Sequence, residues 1–151
     1  MISIKNYKII IWDFDGVIKD SIIAKGYAFE KLFKRYGKKI SQRVKTHHYE
    51  NEGLSRYNKI PLYFSWTKKN IFKNTIRDLL NEFSSIVSRN VIDSPWVPGV
   101  KKLIIKNPYN QLFILLSATP QNELINIVSE LKIKNCFDSI YGLPNSKVNM
   151  V

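Results

Sequence analysis

The fold of this chain is constrained most by the stretch from Tyr7 to Ser21, where an apolar run, Ile9-Ile10-Ile11-Trp12, leads into Asp13, Asp15 and then Gly16. A run without polar alternation is the pattern of a strand buried on both faces of a parallel sheet. Strands of that kind place their carboxyl ends beside the ligand crevice. Asp13 and Asp15 are two residues apart and would share one face of an extended chain, with Phe14 turned the other way into apolar packing. Gly16 lets the backbone turn tightly and approach a ligand closely, which makes it a candidate binding residue. Two carboxylates this close need a cation or a proton between them. The pair therefore reads either as a magnesium site or as a nucleophile beside a general acid/base.

A second apolar run, Leu112 to Leu116, ends at Ser117-Ala118-Thr119-Pro120. Thr119 as cap and Pro120 at the first helical position predict a helix start. The helix behind it would carry Leu124, Ile127, Val128 and Leu131 on one face. A serine and open backbone N–H groups at such a point suit a phosphate, so Ser117 and the adjoining Ala118 are candidate binding residues. A third short strand is expected at about 137–141, followed by a loop that contains Lys147.

Between the first two strands the periodicity is helical. Phe29, Leu32, Phe33 and Tyr36 fall on one face, with Asp20 or Ser21 placed to cap the helix and Gly37 to end it. A second helix is expected at about 43–51 and a longer one over 67–89. The segment from Ser94 to Gly99 holds two prolines and a glycine, breaks any helix and suits a return hinge, with a further helix over 101–106. The expected fold is thus α/β: a Rossmann-like parallel sheet core of three strands from residues 1–19 and 94–151, with an all-helical insert over 20–93.

Composition narrows the function classes. Aliphatic, aromatic and cysteine residues make up 44% of the 151, enough for a genuine core. A single cysteine, Cys136, excludes an internal disulfide and suits a reducing compartment. Lys5 and Lys8 interrupt the amino terminus too early for a secretory signal, and no stretch approaches a membrane span. The expectation is a soluble, cytoplasmic protein. Lys and Arg outnumber Asp and Glu by 24 to 12, a net charge of +12. The basic residues are scattered, without a zinc-finger or RNA-binding motif, so nucleic acid is the weaker partner and a small phosphorylated substrate the better one. His47-His48 suggests zinc only weakly, because no cysteine or further histidine lies near.

The string Asp13 to Ser21, DFDGVIKDS, resembles the first motif of the haloacid dehalogenase superfamily, most of whose members are magnesium-dependent phosphatases and phosphomutases. The resemblance implies an aspartyl-phosphate formed on Asp13, Asp15 as general acid/base, and Mg2+ held by the Asp13 carboxylate and the Asp15 main-chain carbonyl. Ser117 matches the second motif and implies a phosphoryl-binding hydroxyl. Lys147 falls where the third motif has a lysine and would offset charge on Asp13 and the phosphate. A helical insert after the first motif is how many of these phosphatases build a cap. Gly53 to Arg56 is similar to the GxSR loop of beta-phosphoglucomutase-like caps, and His47 to Arg56 to an HHxxNGGxSR pattern of phosphoglycolate phosphatase-like members, with Glu52 in place of the first glycine. Arg56 and His48 are accordingly expected to bind substrate, the guanidinium fork holding a phosphate or carboxylate. The family's fourth, acidic motif has no counterpart before Val151, and its strand would cover the first. A carboxy-terminally truncated form with an exposed apolar edge beside Asp13 is therefore expected. The leading function is phosphatase action on a sugar phosphate or phosphoglycolate; a phosphomutase or a weakly active anion-binding remnant are the alternatives.

Overall fold

The computed structural model describes residues 3–144. Lys147 lies outside the described residues. The chain divides into two compact units, one made of the residues up to Asp20 and from Ser94 onward, the other of Ser21–Asp93.

The first unit holds a three-stranded, all-parallel, Rossmann-like sheet in the order β1-β2-β3, with β1 at Ile9–Trp12, β2 at Leu112–Pro120 and β3 at Ser139–Leu143. Ile9 aligns with Leu112 and Trp12 with Leu115, while Ile114 aligns with Ser139. β1 has the expected bounds; its burial departs from the two-covered-face pattern of its apolar run and agrees with the exposed apolar edge expected beside Asp13. Trp12 is buried, whereas Ile9 and Ile11 are 51% and 49% exposed, as is Leu112 in the neighbouring strand at 51%. Only one face of this strand is packed, so continuous apolarity here does not mean two covered faces. β2 runs through Pro120, which occupies the cap position of the next helix rather than its first turn. That helix spans Gln121–Glu130 and buries Leu124, Ile127 and Val128. Gln111, itself buried, donates from its amide to the carbonyls of Ile4 and Tyr7 at 2.7 and 2.6 Å, tying the segment before β1 to the start of β2. Asp138 accepts from the Phe113 N–H at 2.8 Å and returns a backbone bond of the same length, so the acidic residue preceding β3 serves the sheet.

The second unit is all-helical: α1 at Ile22–Phe33, α2 at Lys38–Glu50, α3 at Arg56–Ser65 and α4 at Thr75–Asp93. With these named, the sheet unit's helices are α5, Val100–Lys106, and α6, the Gln121–Glu130 helix. The α1 face read from the sequence is the buried one, but the helix tightens into a 3-10 turn over Lys34–Tyr36 before Gly37, whose φ of 104° favours glycine. Two expectations fail. The long helix begins at Thr75 and not near Thr67, and Arg56–Ser65 is a helix of its own despite Pro61 inside it. Burial of Ile60, Tyr63 and Phe64 outweighs the proline penalty. Phe29, Tyr63 and Phe83 form the aromatic centre, with Phe29 4.2 Å from Phe83 and 5.4 Å from Tyr63 between ring centroids. Burial pushes the Tyr63 phenol far above its usual pKa, and its hydroxyl lies 3.2 Å from His47 Nδ1.

Candidate active site

β1 stops at Trp12, so Asp13 is the first residue past the strand. Its Oδ1 accepts from the Phe14 N–H at 2.8 Å, which fixes the carboxylate's rotation. Phe14 is fully buried, as its alternation with the two aspartates requires, and anchors the loop. The turn beyond is closed by backbone bonds: the Ile18 N–H reaches the Phe14 carbonyl at 2.9 Å and the Gly16 N–H the Lys19 carbonyl at 2.8 Å. Gly16 has φ of 73°, a conformation costly for a side chain with a Cβ.

The return segment completes the loop's support. Asp20 N–H donates to the Pro95 carbonyl at 2.8 Å, and Val97 N–H to that of Ile18 at 3.1 Å. Lys19 is 2% exposed, with its ammonium 4.8 Å from the centre of the Trp96 ring. Sequence reasoning missed Lys19 as part of this site. Its only signal was a lone lysine next to the apolar Ile18, which is indistinguishable from a solvated one.

β2 lies beside β1 and runs the same way. Since Trp12 aligns with Leu115, Asp13 leaves the carboxyl end of β1 beside the Leu116–Ser117 stretch of β2, and adjacent strands in any sheet run about 4.8 Å apart. Ser117 is 2% exposed, and its Oγ accepts from the Thr119 N–H at 3.1 Å. Ala118 follows within the strand and is partly buried. Gly142 of β3 meets this segment so closely that an added Cβ would collide with the Thr119 carbonyl and the Gln121 backbone. Gln121 closes the junction, its Oε1 accepting from the Gly142 N–H and its amide donating to the Ile140 carbonyl at 3.0 Å. The sheet unit thus carries Asp13, Asp15 and Gly16 in the loop past β1, and Ser117 and Ala118 in the neighbouring β2 just beyond the residue aligned with Trp12.

His48 and Arg56 belong to the helical unit. Arg56 opens α3, with Ser55 before it, so the arginine sits on a helix and not on a loop. Its guanidinium lies 4.7 Å from the Phe83 ring centre and donates to Ser84 Oγ at 2.7 Å. His48 is buried with both ring nitrogens engaged, Nδ1 at 2.9 Å from Lys59 Nζ and Nε2 at 3.4 Å from the Ile22 carbonyl. An ammonium can only donate, so Nδ1 accepts and Nε2 carries the proton. Lys59, 1% exposed and one helical turn from Arg56, is the second residue that sequence reasoning missed.

Asp13 and Asp15 offer hard oxygen donors, the type that suits magnesium, which is often held by one or two carboxylates together with substrate phosphate. No group of three or more His, Cys, Asp or Glu residues able to hold a metal occurs among the described residues. The donor set fits a metal completed by substrate and water better than a protein-caged one.

The model of the haloacid dehalogenase-like hydrolases matches residues 10–148. No curated protein sequence matches the chain. Among solved structures, a beta-phosphoglucomutase from Clostridium difficile is 26% identical with a TM-score of 0.71, over 93% of this chain and 63% of its own. A predicted phosphoglycolate phosphatase from Haemophilus somnus is 14% identical with a TM-score of 0.68, over 95% of this chain and 67% of its own. YfnB of Bacillus subtilis, assigned as a HAD-hydrolase and bound to magnesium, is 16% identical with a TM-score of 0.60, over 90% and 65%. The chain thus spans about two thirds of the length of these relatives. With the matched model covering both the aspartate loop and the Ser117 strand, the chain belongs to the haloacid dehalogenase-like hydrolases.

Proposed function

We propose that the protein is a magnesium-dependent phosphatase of small phosphorylated metabolites, a sugar phosphate or phosphoglycolate, working through an aspartyl-phosphate on Asp13. The observation that carries this reading is that Asp13 follows the end of β1 beside the stretch of the adjacent parallel strand β2 that holds Ser117, with the Asp13 carboxylate fixed by its neighbour's N–H. Asp13 attacks phosphorus while the leaving alkoxide takes a proton from the Asp15 carboxyl. Water then gives a proton to Asp15 and attacks the phosphoryl group, releasing phosphate and restoring Asp13. Ser117 Oγ and the backbone N–H of Ala118 hold the phosphoryl oxygens, Gly16 lets the loop backbone come close to them, and Lys147 adds a positive charge. Bound Mg2+, held by Asp13 and the Asp15 main-chain carbonyl, would supply the charge compensation that lets one anion attack another. Arg56 serves as the cap's ligand for the substrate's phosphate or carboxylate, and His48 contributes by holding Lys59.

The test is phosphate release from phosphoglycolate and from sugar phosphates with and without Mg2+. The wild type is expected to turn over only with the metal and to carry an acid-stable phosphoryl group after quenching. Asp13→Asn should lose both, by at least ~10^3-fold in rate, the scale lost on removing a reacting group. Ligand binding without turnover, unchanged by Asp13→Asn, would instead indicate an anion-binding role. A second reading, a phosphomutase, is favoured by the 26% identity to a protein of that description. A bisphosphorylated intermediate among the products would establish it.

A further inference from the structure

The α1–α2 side of the helical unit carries a groove of about 620 Å³, lined by Tyr27, Glu30, Lys31, Lys34, Lys38 and Gln42 among others. Its volume lies in the range of small-ligand sites. Lys31 lies in the last turn of α1, Lys34 opens the 3-10 turn that follows and Lys38 opens α2, so three like charges gather at the α1–α2 junction around one groove. The acid in the groove does not relieve them: Glu30 is engaged by Lys45 at 2.8 Å. None of the three lysines is ion-paired among the described residues. The neighbouring Arg35 is already paired with Glu82. Three exposed, mutually repelling ammoniums around one concavity are stabilised by an anion with several charges. Tyr27 adds a flat surface, 52% exposed and one α1 turn before Lys31, about 6 Å along the helix. Such a ring stacks on a base while the lysines beyond it meet the phosphates.

We propose that this groove binds a nucleoside polyphosphate, the base on Tyr27 and the phosphates between Lys31, Lys34 and Lys38, at a site separate from Asp13. The proposal does not depend on the phosphatase reading, because the groove lies wholly within the helical unit.

Calorimetric titration of the full chain with ADP, in chelator and at low salt, tests it. The expected result is saturable one-site binding that Lys31→Glu/Lys34→Glu weakens at least tenfold. Tyr27→Leu should weaken ADP but not inorganic pyrophosphate, and Asp13→Asn should change neither. These side chains are exposed, and circular dichroism checks that each variant is folded; the milder Lys34→Gln should show a smaller loss in the same direction. Absence of ADP binding, or equal weakening by the remote Lys68→Glu/Lys69→Glu pair, would overturn the site. So would a short single-stranded oligothymidylate that binds while ADP does not.

Discussion

His48 and Lys59 are two basic side chains buried together, an arrangement that stands only because each is hydrogen-bonded. His48→Phe keeps a ring against Phe29, whose centroid is 5.1 Å away, and removes the acceptor for the ammonium. The expected cost is about 1–3 kcal/mol, the usual penalty for a buried donor that loses its partner, read from urea denaturation. An unchanged midpoint would mean that Lys59 is held without the imidazole. Cys136 gives a second residue-level prediction. Burial pushes its thiol pKa up. The folded state therefore favours the thiol; the associated stability is fully present below the unfolded pKa and is lost as pH rises through the folded one. Alkylation by iodoacetamide should accordingly be slower than for an unfolded control at neutral pH and accelerate at higher pH than in that control. Mass spectrometry of the labelled peptide follows both.

At the scale of elements, α3 shows a local rule overridden by packing. Pro61 cannot donate to the Tyr57 carbonyl one turn back, and interior prolines cost about 3 kcal/mol or more. Pro61→Ala restores that bond and should stabilise the chain by about 1–3 kcal/mol, raising the melting temperature by about 2–4 °C per kcal/mol. A fall instead would show that the proline's shape is needed in the packed face. The same residue explains what sequence could not deliver. β1, β2, α1 and α5 were legible because apolar runs and 3.6-residue periodicity survive in them. α3 was not, since a proline in a short segment reads as a break. The half-exposure of Ile9 and Ile11 was hidden from periodicity, which reports apolarity and not which neighbour supplies cover; it followed instead from the absent strand that would cover the first. In the candidate site, Asp13, Asp15 and Ser117 were singled out by motif order, whereas the burial of Lys19 and Lys59 had no signal in the sequence. Each takes its meaning from burial against residues distant in sequence.

Across the whole molecule, charge is divided unequally between the units. Ser21–Asp93 holds 15 of the 24 Lys and Arg residues and 6 of the 12 Asp and Glu, leaving the sheet unit with 9 and 6. Self-repulsion should therefore destabilise the helical unit more, and salt should relieve it there more, since the Debye length falls from about 10 Å at 0.1 M to about 3 Å at 1 M. Each unit has its own buried core, Phe29, Phe33, Tyr63 and Phe83 in one and Phe14, Phe113, Leu115 and Leu124 in the other, so separate transitions are expected. The tryptophans report them independently: Trp66 lies in the helical unit, Trp12 and Trp96 in the sheet unit. In Trp66→Phe, fluorescence follows the sheet unit; in Trp12→Phe/Trp96→Phe it follows the helical unit. The second variant is tolerable because the Trp12 indole N–H is buried without an acceptor among the described residues, so phenylalanine removes an unsatisfied donor. Between low salt and about 1 M sodium chloride, the helical unit's urea midpoint should rise clearly more than the sheet unit's. Coincident midpoints that shift together would show that the two cores unfold as one and that the charge asymmetry has no separate effect on stability.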